Sequence, residues 1–289
     1  MMLDLFEALI SPFRDFPFMS RALLGALVLS VSCAPVGVFL IQRRMSLAGD
    51  AMAHAILPGI AAGFMTAGLS IWAMTLGGFI AGLAVALASG AVARLTPQRE
   101  DVSLAALYLV ALALGVVMVA QQGARLDLTH ILFGSVLAVD HSALLLLAAC
   151  GALTILAMAA IWRPLILECL DPDFSRRAGR QGMVAHGIFL ALVVLNLVAG
   201  FQALGTLMAV GLLILPGAAA RFWSRNLPGL VAIAMAFGVV ATVSGLLFSF
   251  YLNSPSGPAI ILMSGALWSI SLLFGRFGGV ASRLGAYTS

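Results

Sequence analysis

Residues 48–67 read AGDAMAHAILPGIAAGFMTA, an apolar run that carries one carboxylate, Asp50, and one histidine, His54. About 20 apolar residues are needed for a helix to cross the hydrocarbon core of a bilayer. Comparable runs recur near residues 20–41, 70–94, 103–121, 142–162, 184–201, 204–222, 229–251 and 258–275, with a short apolar piece at 131–138. We therefore expect an all-α, polytopic transmembrane helical bundle of eight to nine spans.

The composition excludes most soluble classes of protein. Of 289 residues, 62% are hydrophobic and 9% are charged, and the mean hydropathy is +1.12, whereas a soluble domain carries about 25% charged residues. All 15 basic residues are arginine, so the chain has no lysine for a P-loop or a Schiff base. Recognisable hydrolase and RNA-binding motifs are also missing. We expect a polytopic membrane protein rather than a soluble enzyme, with no permanently bound cofactor and no nucleic-acid partner.

The positions of the arginines predict the orientation of the chain. Twelve of the 15 lie in connections on alternate sides of successive spans, which leaves Arg14, Arg21 and Arg125 on the other face. The positive-inside rule makes the face with twelve arginines cytoplasmic. Residues 1–18 mix charges with Phe and Leu and predict an interfacial segment, so residues 19–289 would form a single transmembrane domain.

Asp50 is the one acidic residue that falls inside a predicted span. His54 follows four residues later, so on a helix the two side chains share a face with β-carbons about 5–6 Å apart. A carboxylate with a neutral imidazole suits a divalent transition metal, and an acid at this depth usually faces a cavity or an ion path. The alternative is that Asp50 caps the helix and His54 is an ordinary interior histidine.

Two Pro-Gly pairs interrupt apolar runs, Pro58–Gly59 and Pro216–Gly217. Residues 56–64 match residues 214–222 at seven of nine positions, which hints at an inverted repeat whose broken helices line a substrate path. The alternative is a chance match between apolar segments. A glycine-rich run at residues 77–82 predicts close helix packing.

Four stretches of the chain together carry a resemblance to a known family. They are RRMSLAGDAMAHAILPG at residues 43–59, FGSVLAV at 133–139, LGTLMAVGLLILPGAAAR at 204–221 and SGPAI at 256–260. With these stretches the chain resembles the integral-membrane permease subunits of bacterial zinc/manganese ATP-binding-cassette (ABC) importers. One departure is Ala53, which stands where that family commonly has a serine.

The resemblance implies a type II ABC importer-like permease in the bacterial cytoplasmic (inner) membrane, importing a divalent metal, zinc before manganese. Its partners would be an ATPase subunit, an extracytoplasmic metal-binding protein, a second permease copy and membrane lipid. Asp50 and His54 would bind the transported metal. A cytoplasmic coupling loop at about 164–182 would contact the ATPase through Asp171, Pro172, Asp173, Phe174, Arg176 and Arg177.

Several alternatives stay open from the sequence. The loop at 164–182 is also compatible with a solvated loop that only sets orientation. A secondary metal or proton-coupled carrier that works alone, or a membrane scaffold, would also fit an apolar bundle with one intramembrane acid. Further ligands at the outer mouth would come from two pairs, Asp127 with His130 and Asp140 with His141.

Overall fold

The computed structural model describes residues 11–121, 139–170 and 180–280. Residues 11–15 are helical, and every longer element in the described part of the chain is an α-helix. In chain order the helices are α1 (Pro17–Gln42), α2 (Ala48–Ala55), α3 (Leu57–Ala67), α4 (Ile71–Leu95), α5 (Glu100–Gln121), α6 (His141–Ala160), α7 (Trp162–Leu170), α8 (Arg180–Leu204), α9 (Thr206–Ala220), α10 (Leu227–Leu252) and α11 (Ser256–Phe274).

The all-α transmembrane fold is confirmed. The expected count of eight to nine spans is higher than the number of described helices that are long enough to cross a membrane. Seven helices in the described residues are long and apolar enough to cross a membrane: α1, α4, α5, α6, α8, α10 and α11. The run at 48–67 forms two short helices because Pro58 has no N–H to donate to the carbonyl of His54. Helix α9 has 15 residues because Gly205, at φ 95°, separates it from α8.

Helices α1 and α8 lie at the centre of the bundle. Helix α1 packs against α6, α8, α9 and α10, while α8 also contacts α4 and α6. Glycines allow the closest approaches: a Cβ added at Gly37 of α1 would lie 1.7 Å from the carbonyl oxygen of Leu213 in α9. Between α3 and α4, the backbones of Gly59 and Gly77 meet in the same way. Such contacts let helices associate by van der Waals packing where no hydrophobic driving force exists.

The arginine-bearing ends of several helices lie on one face of the bundle. Arg43, at the end of α1, contacts Glu168 of α7 and His186 of α8. A Cβ on Gly217 of α9 would lie 3.0 Å from Ile41, so the end of α9 is beside the end of α1. These positions agree with the alternation of loops that predicts a cytoplasmic face.

Candidate metal site and cytoplasmic ionic cluster

Helix α2 places Asp50 and His54 on one face, as their spacing predicts. His54 Nε2 lies 3.8 Å from Asp50 Oδ1, and the side chains are 36% and 62% exposed, respectively. The remaining residues of the helix, except these two, are small or apolar and buried: Ala48, Gly49, Ala51, Met52, Ala53 and Ala55. The helix therefore packs against the bundle through all its residues except Asp50 and His54, and the side chains of these two metal-binding candidates are open at the surface of the chain.

The geometry does not favour the capping alternative for Asp50. Helix α2 begins at Ala48 with Leu47 as N-cap, and Asp50 lies in its first turn. Within the described part of the chain, the Asp50 carboxylate contacts His54 and accepts no hydrogen bond from a backbone amide. The position near the helix N-terminus still stabilises its negative charge through the helix dipole. His54 stacks on Tyr108 of α5, with ring centroids 6.5 Å apart and an interplanar angle of 30°.

This pair does not form a complete site within one chain. In the described residues, no group of three or more His, Cys, Asp or Glu side chains is placed to hold a metal ion. Two ligands fall short of the four that a structural zinc site uses. A weakly held ion suits transport, because the ion must also leave.

The outer-mouth candidates have other roles or lie outside the described residues. Asp140 is the N-cap of α6: it accepts hydrogen bonds from the Ala143 amide at 2.7 Å and the Ser142 hydroxyl at 2.6 Å. The Ser142 and Ala143 hydrogen bonds hold the pKa of Asp140 below its usual value. His141 is exposed beside it. Asp127 and His130 lie outside the described residues.

The two Pro-Gly pairs are buried and make packing contacts. Pro58 lies in the first turn of α3 next to Gly115 of α5, and Gly59 meets Gly77. Pro216 lies inside α9, and Gly217 contacts the backbone of α1 near Gly37. A role for the two pairs in lining the metal path stays a prediction.

The predicted coupling residues lie mostly beyond the described part of the chain. Asp171, Pro172, Asp173, Phe174, Arg176 and Arg177 are outside it. The structure does describe what flanks them: α7 ends at Leu170 and α8 begins at Arg180. At the N-terminus, residues 1–10 of the predicted interfacial segment are also outside the described residues, while Pro17 and Phe18 already belong to α1.

Sequence reasoning missed a buried ionic cluster on the predicted cytoplasmic face, formed by Arg43, Glu100, Glu168 and His186. Arg43 pairs with Glu168 and lies 2.7 Å from His186 Nδ1, measured from its Nη1. His186 Nδ1 also lies 3.2 Å from Glu168 Oε1, and His186 Nε2 lies 3.1 Å from Glu100 Oε1. The Arg43 side chain is 7% exposed, and its guanidinium lies over the Phe189 ring at 4.8 Å.

The ionic cluster keeps Glu168 ionised despite its burial. Desolvation raises the pKa of a carboxyl group, but the hydrogen bond with His186 and the charges of Arg43 and His186 outweigh it. The pKa of Glu168 therefore lies below its usual value. The signal available in the sequence was weak, because each of these residues lies at the end of a different apolar run, where polar residues are ordinary.

Comparisons with known proteins assign both the sequence and the fold to a family. The profile of the "ABC 3 transport family" matches residues 15–275. The manganese transport system membrane protein MntC of Halalkalibacterium halodurans is 34% identical, over 93% of this chain and 91% of that protein. The chelated iron transport system membrane protein YfeD of Yersinia pestis is 30% identical, over 96% and 92%. The solved structure of PsaBC from Streptococcus pneumoniae in complex with Fab superposes with a TM-score of 0.83 at 28% identity, covering 99% of this chain and all of that one.

Proposed function

We propose that this chain, which belongs to the ABC 3 transport family, imports a divalent metal ion as the permease subunit of an ATP-driven transporter in the bacterial inner membrane. The family assignment makes it a transport component rather than an enzyme. The absence of lysine leaves it without a P-loop. ATP would therefore be hydrolysed by a separate subunit, which we expect to dock on residues 164–182, a stretch in which 164–170 belong to α7 and 180–182 to α8.

The observation that carries the metal assignment is the open Asp50–His54 pair on α2. A carboxylate and an imidazole are ligands that manganese, iron and zinc all accept, and selectivity among these metals depends on geometry and availability. The family resemblance of the sequence implies zinc before manganese, but the relatives are named for manganese and chelated iron. We therefore place manganese first, iron next and zinc third.

A second copy of the chain would complete the site. One copy supplies two ligands and leaves Asp50 62% exposed, and an ionised acid open to lipid is unfavourable. Two copies related by a twofold axis would present the same pair twice, which gives four ligands around one ion. We propose this homodimer, served by an extracytoplasmic metal-binding protein that delivers the ion.

The experiment is metal uptake and metal-stimulated ATP hydrolysis by the permease reconstituted with its ATPase and binding protein, with manganese, iron and zinc compared. Asp50→Asn and His54→Gln approximately keep side-chain size and replace the carboxylate and the imidazole by neutral amides. We expect each to lower uptake by about tenfold or more, while Asp140→Asn, an acid that serves as a helix cap, keeps wild-type uptake. Normal uptake by Asp50→Asn in a correctly folded complex would remove the basis of the proposal. Uptake by the permease alone, driven by a proton gradient, would instead favour a secondary carrier.

A further inference from the structure

We propose that the ionic cluster of Arg43, Glu100, Glu168 and His186 is the mechanical joint that transmits movement of the ATPase-facing loop to the Asp50–His54 pair. This inference rests on the proposed function. These are positioning residues, because they act on the metal site through other groups.

The cluster is anchored beside the predicted coupling residues. Glu168 is on α7, three residues before Asp171. Trp162, at the start of α7, packs edge-on against Phe39 of α1 with ring centroids 5.2 Å apart. Helix α7 is thus held to α1 at both ends, by an aromatic contact and by an ion pair. Because α7 runs directly into the loop, a displacement of the loop would act first on Glu168.

The first route to the metal pair runs through the turn that joins α1 to α2. The amide of Met45 donates to the carbonyl of Leu40, and the amide of Arg44 donates to the carbonyl of Ile41, both at 3.0 Å. With Arg44 in the left-handed region at φ 60°, this is a Schellman motif, which fixes the direction of the chain after a helix. Asp50 follows seven residues after Arg43. Because the connecting turn is short and hydrogen-bonded, a shift of Arg43 would displace α2 as well.

The second route runs through α5. Glu100, in the first turn of this helix, lies 3.1 Å from His186. Tyr108 lies two turns further along the same helix, about 12 Å away, and stacks on His54. Helix α5 has no proline, so it moves as a unit. The ionic cluster is therefore linked to Asp50 through the turn between α1 and α2, and to His54 through α5 and Tyr108.

The cluster has two mutually exclusive bonding arrangements. His186 Nδ1 lies 2.7 Å from Arg43 and 3.2 Å from Glu168. A single ring nitrogen accepts from the arginine or donates to the carboxylate, but does not do both. Each arrangement couples α8 to a different neighbour, α1 or α7. A buried ion pair stabilises a fold no better than apolar side chains of the same volume would, so stability alone does not account for an ionic cluster at this position.

The test uses the complete reconstituted transporter and measures ATP hydrolysed per metal ion imported, alongside metal binding and thermal stability. Arg43→Gln and Glu168→Gln each break the joint with little change in size. We expect either variant to raise the ATP-to-metal ratio about fivefold or more, with metal affinity unchanged. The double variant should cost no more than one single variant, and the charge swap Arg43→Glu with Glu168→Arg should recover part of the coupling. If Arg43→Gln does not fold, Glu168→Gln carries the test.

Arg225→Gln is the matched control, because Arg225 stacks on Phe277 at 4.7 Å instead of joining the cluster. An unchanged ATP-to-metal ratio in folded Glu168→Gln would overturn the inference, as would equal uncoupling by Arg225→Gln. Either result leaves the proposed function standing if Asp50→Asn still lowers uptake by about tenfold or more. Different results would contradict the proposed function itself: the wild-type complex would show no metal-stimulated ATP hydrolysis, and Asp50→Asn would leave metal uptake unchanged.

Discussion

Helices α3 and α4 cross so closely at Gly59 and Gly77 that a methyl group at Gly59 should lower the stability of the protein. In Gly59→Ala, the new methyl group would lie 2.0 Å from the carbonyl oxygen of Gly77 and 2.7 Å from the Ala81 Cβ. Ordinary van der Waals contact begins at 3.4 Å. The obstructing oxygen belongs to a helix backbone, so no side chain can rotate away, and the two helices must separate.

Overpacking of this kind costs about 3 kcal/mol, at the upper part of its usual range. The better helix propensity of alanine returns about 1 kcal/mol. The net loss of about 2 kcal/mol should lower the melting temperature of the purified protein by roughly 4–8 °C. Uptake should fall as well, because α3 continues from the helix that carries Asp50 and His54.

The matched control is Gly265→Ala in α11, where nothing lies within 4 Å of the added Cβ. This variant gains helix propensity without a clash, so its melting temperature should equal or exceed that of wild type. Thermal unfolding of both variants in the same detergent is the assay. Equal melting temperatures for Gly59→Ala and Gly265→Ala would refute the close crossing of α3 and α4.

Three further variants probe single features. Asp140→Ala removes the N-cap of α6 and should cost about 1 kcal/mol, seen as a lower melting temperature with unchanged metal uptake; loss of uptake would contradict its assignment as a cap. Arg44→Gly places the preferred residue at a left-handed position and should stabilise by roughly 1 kcal/mol, whereas a lower melting temperature would argue against the φ of 60°. Glu168 has a pKa below the ordinary 4.5, so its ionised form contributes stability that is present above pH 4.5 and is lost as the pH falls through the lower, folded-state pKa. The stability difference between wild type and Glu168→Gln should therefore shrink on acidification below pH 4.5; a constant difference would show that the carboxylate is not stabilised.

Hydrophobic run length predicted the positions of the helices well. The expected runs near 20–41, 70–94 and 229–251 correspond to α1, α4 and α10 within a few residues. The shared face of Asp50 and His54 followed from helical spacing alone. Both depend on local properties of the chain, namely hydropathy over about 20 residues and the 3.6-residue turn.

Features that depend on contacts distant in sequence were missed. Arg43 was counted among the arginines that set orientation, yet its side chain is buried against Glu168, 125 residues later in the chain. The predicted number of spans exceeded the seven long apolar helices of the described residues. The length of an apolar run does not show where a helix within that run ends. The missing N–H of Pro58 divides the run at 48–67 into two short helices, and the run at 204–222 forms a helix of only 15 residues, which begins after Gly205.

The exposed Asp50 carboxylate also bears on how this protein is made. A newly inserted copy that has not met a partner carries an acid on its surface, at a cost of up to about 3 kcal/mol in hydrocarbon. Docking in the proposed homodimer would remove that penalty, so the lone subunit should be short-lived in the cell and its abundance should rise with that of its proposed partners. The residue proposed to bind cargo would then also mark unassembled copies for degradation.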